Sequence, residues 1–129
     1  MILYLIRHGQ SANNLLGENV LTVNGVPSAE GHKAYMSNRV ADPPLTKVGE
    51  QQVQRLADFL REAHPKHRPT HDDPPEEELR GTDVANRLGI SRIYCSPMLR
   101  TLQTAQPAAT HLGIHPEIWV DVHEHGGVF

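Results

Sequence analysis

Cysteine and aromatic residues are scarce in this 129-residue chain: one Cys, one Trp, three Tyr and two Phe. A lone Cys95 excludes an internal disulfide framework and agrees with a reducing compartment. It sits in the apolar run Ile93-Tyr94-Cys95, which reads as a buried structural thiol rather than a nucleophile. A charge excess is missing too. Twelve Lys+Arg against fifteen Asp+Glu give a net charge of −3, so no basic field is present to hold a nucleic acid. Long apolar runs are absent: Met1–Ile6, the longest, falls far short of the ~20 residues of a membrane span, and no charged leader with a cleavage site accompanies it. The expectation is a cytoplasmic protein that binds neither membrane nor nucleic acid. What is present, a hydrophobic fraction of 38%, supplies one ordinary globular core.

Met1–Ile6 is a continuous apolar run ended by Arg7-His8-Gly9, the pattern of a strand buried on both faces of a parallel sheet. From about Leu15 to Pro44, Gly17, Asn24, Gly25, Pro27, Gly31 and Asn38 interrupt any periodicity, which predicts a long surface loop forming a substrate wall. Thr46 then caps a helix whose apolar positions Val48, Val53, Leu56, Ala57 and Leu60 recur at helical spacing. The Pro-, His- and acid-rich stretch His64–Glu78 reads as a solvated insertion. Its histidine and aspartate spacing, including His71-Asp72-Asp73, matches no standard metal-ligand set, so no metal site is expected there. Leu79–Leu88 predicts a short helix ended by Gly89, and Ile90–Cys95 a second buried strand. Ser96-Pro97 opens a further helix with apolar positions Met98, Leu99, Leu102, Ala105, Ala109 and Leu112, closed by Gly113. Glu117–Val122 predicts a third strand. Alternating strands and helices imply an α/β domain with a largely parallel sheet.

In such sheets ligands bind beyond the carboxyl ends of the strands. The first strand exit carries Arg7, His8 and Gly9. The second carries Ser96 and, a helical turn on, Arg100, and the third His123, Glu124 and Gly126-Gly127. Gathered at one edge, two guanidiniums, an imidazole and a carboxyl group suit phosphoryl transfer. Arginines chelate phosphoryl oxygens, an unprotonated imidazole nitrogen attacks phosphorus, and a carboxylic acid protonates the leaving oxygen. A helix opened by Ser11 adds its positive end. Each residue alone has a duller reading as a surface arginine or loop acid; the conjunction is what carries weight.

The segments LIRHGQSANN, DPPLTKVGEQQVQRLADFL, RIYCSPMLRTLQTAQPAA and VDVHEHGG, in that order, resemble the diagnostic blocks of the histidine phosphatase (phosphoglycerate mutase-like) superfamily. The resemblance implies a three-layer α/β sandwich, here a single incomplete domain over 1–129 with insertions at about 15–39 and 64–78. It implies that His8 is the phosphohistidine nucleophile and Glu124 the proton donor. Arg7, Gly9, Asn14 and Arg100 then form the phosphate pocket. Gln10 stands where many members have Glu. The substrate implied is a small phosphorylated molecule, handled without cofactor or metal, and oligomerisation is left open.

One departure is substantial. Family members carry a second pocket histidine farther downstream than Phe129, and His111, His115, His123 and His125 are poor substitutes by position. A truncated or partial chain is therefore expected, with exposed apolar surface and a tendency to aggregate. The first functional reading is a metal-independent phosphomonoesterase. A phosphoglycerate mutase-type phosphotransferase is the alternative within enzymes, and a catalytically inactive fragment or regulatory binding protein the alternative outside them.

Overall fold

The structure, a computed structural model, describes residues 2–23, 26–61, 86 and 88–122. Its centre is the contact between two helices, α3 (Lys47–Arg61) and α4 (Leu99–Leu112), named in chain order with the elements below. The expected cap of α3 is present: the Thr46 hydroxyl accepts the Gly49 N–H at 3.1 Å, with Glu50 in the first turn and Arg61 in the last, matching the helix dipole at both ends. Of the expected apolar positions Val53, Ala57 and Leu60 are buried and Leu56 partly buried, whereas Val48 is exposed and Gly49 takes its place on the buried face. On α4 the corresponding stripe is Arg100, Thr104, Ala108, Ala109 and Leu112. Ala57, Leu60, Ala108 and Leu112 form the core cluster, flanked by Leu56, Leu88, Ile90, Ile93 and Ile114. Alanines at the crossing let the two helices approach closely, while the leucines supply roughly 1.5–3 kcal/mol each from burial.

Helix α4 connects β3 (Tyr94–Cys95) to β4 (Glu117–Ile118), which pair in parallel with Tyr94 opposite Glu117 and Cys95 opposite Ile118. This is the strand–helix–strand unit expected of the alternating pattern. Gly113, in the left-handed region at φ 65°, turns the chain out of α4 while the Ile114 N–H reaches back to the Ala109 carbonyl at 3.0 Å. The chain is thus α/β, with four helices and a small parallel sheet among the described residues. No described helix is long and apolar enough to cross a membrane.

Four expectations need correction. First, Ile2–Ile6 forms no strand and is exposed, Ile2 at 77% and Leu5 at 89%. An apolar run becomes a buried strand only when neighbouring backbones satisfy its N–H and C=O groups, and the parallel ladder described here runs between β3 and β4 alone.

Second, the segment read as a loop from Leu15 to Pro44 contains helix α1 (Ala12–Val20), a two-residue hairpin of β1 (Thr22–Val23) with β2 (Val26–Pro27), and helix α2 (Ala29–Asn38). Capping overrides the weak periodicity. Ser11 and Asn14 form a reciprocal capping box on α1, and Ser28 accepts the Gly31 N–H at 2.9 Å on α2. The helix expected from Ser11 is therefore present.

Third, α4 begins at Leu99 with Met98 as its N-cap, not at Ser96-Pro97. The Ser96 hydroxyl is engaged instead with Thr101 Oγ1 at 2.9 Å. Fourth, the second and third strands shrink to two residues each, and the expected burial of the second is not found: Tyr94 is exposed and Cys95 half-buried, while the third ends before the turn at Val120 and Asp121. The expected insertion His64–Glu78 and nearly all of the expected helix Leu79–Leu88 lie outside the described residues.

Candidate active site

His8 is half-buried at the end of the N-terminal segment, with Arg7 exposed before it and Gly9 buried after it. The His8 Nδ1 lies 2.7 Å from the Gly9 carbonyl oxygen. A carbonyl only accepts, so this contact uses a proton on Nδ1, and Nε2 takes no part in it. In a neutral ring that leaves Nε2 its lone pair, as a nucleophilic imidazole requires.

Two glycines seat this segment. A Cβ on Gly9 would lie 2.8 Å from the Gly49 carbonyl oxygen and 3.1 Å from a Val53 methyl, and one on Gly49 would overlap the Gln10 carbonyl. The backbone of residues 9 and 10 therefore rests directly on the first turn of α3, where side chains would hold it away. Hydrogen bonds fix the contact. Gln10 N–H donates to Gln52 Oε1 at 2.8 Å, the Gln10 carbonyl accepts the Thr46 N–H at 2.9 Å, and Gln10 Oε1 accepts the Thr46 hydroxyl at 2.7 Å. Gln10 Nε2 reaches Glu18 Oε2 at 2.9 Å, tying the same residue to α1.

The link to α4 runs through Thr104. Its Oγ1 accepts the Gly9 N–H at 3.1 Å and donates to the Arg100 carbonyl at 2.7 Å. The residue after His8 is thereby docked one helical turn from Arg100, itself only 5% exposed. The segment that follows His8 is thus joined to the helix that carries Arg100, although no strand precedes His8. Arg100 is held in part by Asp42, whose Oδ1 lies 3.9 Å from the guanidinium Nη1. Asn14 stands in the first turn of α1, and its Oδ1 accepts from both the N–H and the hydroxyl of Ser11, at 3.0 and 2.9 Å. Ser11 is 2% exposed, and α1 starts directly after the segment that carries His8.

Glu124, with His123 and His125, lies outside the described residues. His111 is placed at the far end of α4, about 16 Å along the axis from Arg100 at the usual helical rise. There its Nδ1 faces Asp58 Oδ1 at 3.8 Å, in keeping with a histidine that plays no part in the site. Cys95 is half-buried rather than buried as expected, and that partial burial pushes its thiol above the ordinary value.

Sequence reasoning missed the residues that position the site: Asp42, Gly49 and Thr104. Thr104 sits one turn beyond Arg100 on the same face, and Gly49 is a glycine in the first turn of a helix, on the same face as Val53 and Ala57. Both signals were available. Asp42 gave none, since its role depends on a contact across 57 residues.

The chain is 30% identical over 103 residues to phosphoglycerate mutase-like protein 2 of Arabidopsis thaliana, covering 80% of this chain and 21% of that protein. It is 29% identical over 139 residues to phosphoglycerate mutase-like protein 1 of the same plant, covering 88% of this chain and 44% of the relative. The chain therefore spans less than half the length of these relatives. No solved structure gives a significant match. A sequence model of the histidine phosphatase superfamily (branch 1) matches residues 3–70 and 78–129, nearly the whole chain, and on that match this protein belongs to the histidine phosphatase superfamily.

Proposed function

We propose that this chain carries the nucleophilic half of a metal-independent phosphomonoester phosphatase that works through a phosphohistidine at His8. The observation that carries the reading is the hydrogen bond from His8 Nδ1 to the Gly9 carbonyl, which leaves Nε2 as the nucleophilic nitrogen. In the first step Nε2 attacks phosphorus, the N–P bond forms and the P–O bond to the leaving group breaks. Glu124, by its place in the family pattern, gives the proton that the leaving oxygen takes. In the second step water attacks phosphorus and gives a proton to the Glu124 carboxylate, which restores the acid, while the N–P bond breaks, the imidazole is regenerated and inorganic phosphate leaves. Arg7 and Arg100 neutralise the phosphoryl oxygens in both steps, the work that a divalent cation does at other phosphoryl-transfer sites. The Asn14 side chain adds a neutral donor; the capping box uses the Asn14 oxygen, so its amide nitrogen faces no competing demand within the box.

Hydrolysis is favoured over transfer to a second hydroxyl by access. His8 is half-buried and Arg7 exposed, so water reaches the nucleophile side of the site. The names of the Arabidopsis relatives point to the other reading, a mutase that returns the phosphoryl group to its substrate. Incubation of the protein with an aryl phosphate and, separately, with a phosphoglycerate distinguishes the two. Release of inorganic phosphate from the aryl ester is the expected result. Phosphoglycerate isomerisation with negligible aryl phosphate hydrolysis would replace the proposal by the mutase reading.

A further inference from the structure

We propose that Asp42 is a positioning residue for Arg100, holding both the guanidinium and the start of α4 in place for a phosphoryl group; this rests on the phosphoryl-transfer reading of the site. Helix α4 has an N-cap, Met98, whose side chain offers no hydrogen-bond acceptor, and no side-chain cap bond is made from that position. The cap comes from elsewhere in the chain. Asp42 Oδ1 accepts the Leu99 N–H at 2.8 Å, and the same oxygen lies 3.9 Å from Arg100 Nη1. One carboxylate oxygen thus serves the first amide of the helix and the arginine that follows it. An aspartate here does in trans what an N-cap residue does locally.

The segment that presents Asp42 is tied on both sides. Asn13 of α1 clamps the backbone of Val40, donating to its carbonyl at 2.8 Å and accepting its N–H at 2.9 Å. Beyond Asp42, the Pro44 carbonyl accepts the Ala12 N–H at 2.9 Å, and the Leu45 N–H donates to Gln103 Oε1 of α4 at 2.8 Å. Residues 40–45 therefore bridge α1, which carries Asn14, to α4, which carries Arg100. Asp42 itself adopts φ 43°, a left-handed conformation that aspartate, asparagine and glycine tolerate best. A strained residue held between two anchored ends, with its carboxylate on the helix start, has a defined place in the fold.

A carboxylate near a phosphate pocket also repels the ligand, so the sign of the effect has to be decided. Arg100 is 6% exposed at its side chain and Asp42 41%, so the carboxylate is open to solvent and its repulsion is screened. The buried guanidinium gains more from being oriented than it loses to that screened charge.

The test is binding of inorganic phosphate to the full chain, measured by calorimetry, in a double-mutant cycle. Asp42→Gly removes the carboxylate while accepting the positive φ, and Asp42→Asn keeps an oxygen for the Leu99 N–H but removes the charge. Asp42→Gly is expected to weaken phosphate binding about tenfold in the native background and to have almost no effect once Arg100→Ala is present. Asp42→Asn is expected to give a smaller loss, again abolished by Arg100→Ala, and it decides the matter if the glycine variant fails to fold. Equal losses with and without Arg100, unchanged affinity, or tighter binding in the Asp42 variants would overturn the proposal. If the unsubstituted protein binds no phosphate, the phosphoryl-site reading itself is wrong, and this inference falls with it.

Discussion

Replacing Gly49 by alanine tests whether the His8 segment is seated on α3 as described. In an exposed helix the change should stabilise, by at most about 1 kcal/mol, because alanine is the better helix former. Here the new Cβ overlaps the Gln10 carbonyl and lies 3.1 Å from both the carbonyl carbon and the amide nitrogen of Gln10. These are backbone atoms that cannot rotate away. Relief requires moving Gln10, which breaks or stretches its bonds to Thr46 N–H and to Gln52, at roughly 1 kcal/mol each. Overpacking of this kind costs about 1–3 kcal/mol. After a propensity gain of at most about 1 kcal/mol is subtracted, a net loss of up to roughly 2 kcal/mol remains, and His8 moves with its neighbour.

Gly17→Ala is the matched control. It also lies within a helix, but its nearest contact is the Leu21 Cδ1 at 3.2 Å, the end of a flexible side chain. This variant should be neutral or more stable by up to about 1 kcal/mol. Urea denaturation of the two variants and the parent measures both values. A Gly49→Ala protein as stable as the Gly17→Ala protein would refute the close approach of residues 9–10 to α3.

Two further outcomes follow from the packing. Leu60→Ala, at a position 4% exposed in the α3–α4 core, should cost about 2–5 kcal/mol in the same denaturation assay, whereas Phe59→Ala, 50% exposed on the other side of the helix, should cost far less. Cys95, with its thiol pushed up by burial, is mostly protonated near neutral pH, so iodoacetamide should alkylate it more slowly than a free thiol in native buffer and at the free-thiol rate in denaturant.

The core and the chemistry were legible in the sequence to different degrees. Helix α3 was read almost to its ends because a strong apolar period coincides with a good cap, Thr46, and a burial partner. Helix α4 was placed correctly, and Gly113 marked its end, but Ser96-Pro97 gave a false start. A local Ser-Pro signal lost to a cap from Asp42, a contact no window along the chain contains. Helices α1 and α2 went unread past their caps because glycines and asparagines mask the period, although Ser28 with Gly31 behind it, and the Asn-Gly pair at 24–25, were usable signs of a helix start and a hairpin. The apolar run Ile2–Ile6 failed as a strand for the opposite reason. Its composition fits a sheet interior, yet strand formation depends on neighbours supplied from elsewhere. In the site, His8, Gly9 and Arg100 were nominated by type and spacing, and the structure links Gly9 to Arg100 through Thr104. What the spacing left out was the means of holding them, because Asp42, Gly49 and Thr104 act through the backbone of distant segments.

The central claim is that His8 becomes covalently phosphorylated during turnover. Rapid quenching of the protein with a labelled phosphomonoester, followed by peptide mapping, tests it most directly. Label is expected on the peptide holding His8, stable in base and lost in acid as a phosphorus–nitrogen bond requires, and absent from a folded His8→Ala protein that no longer turns over. Phosphate release by the His8→Ala protein at the parent rate, or an acid-stable label on another residue, would contradict it.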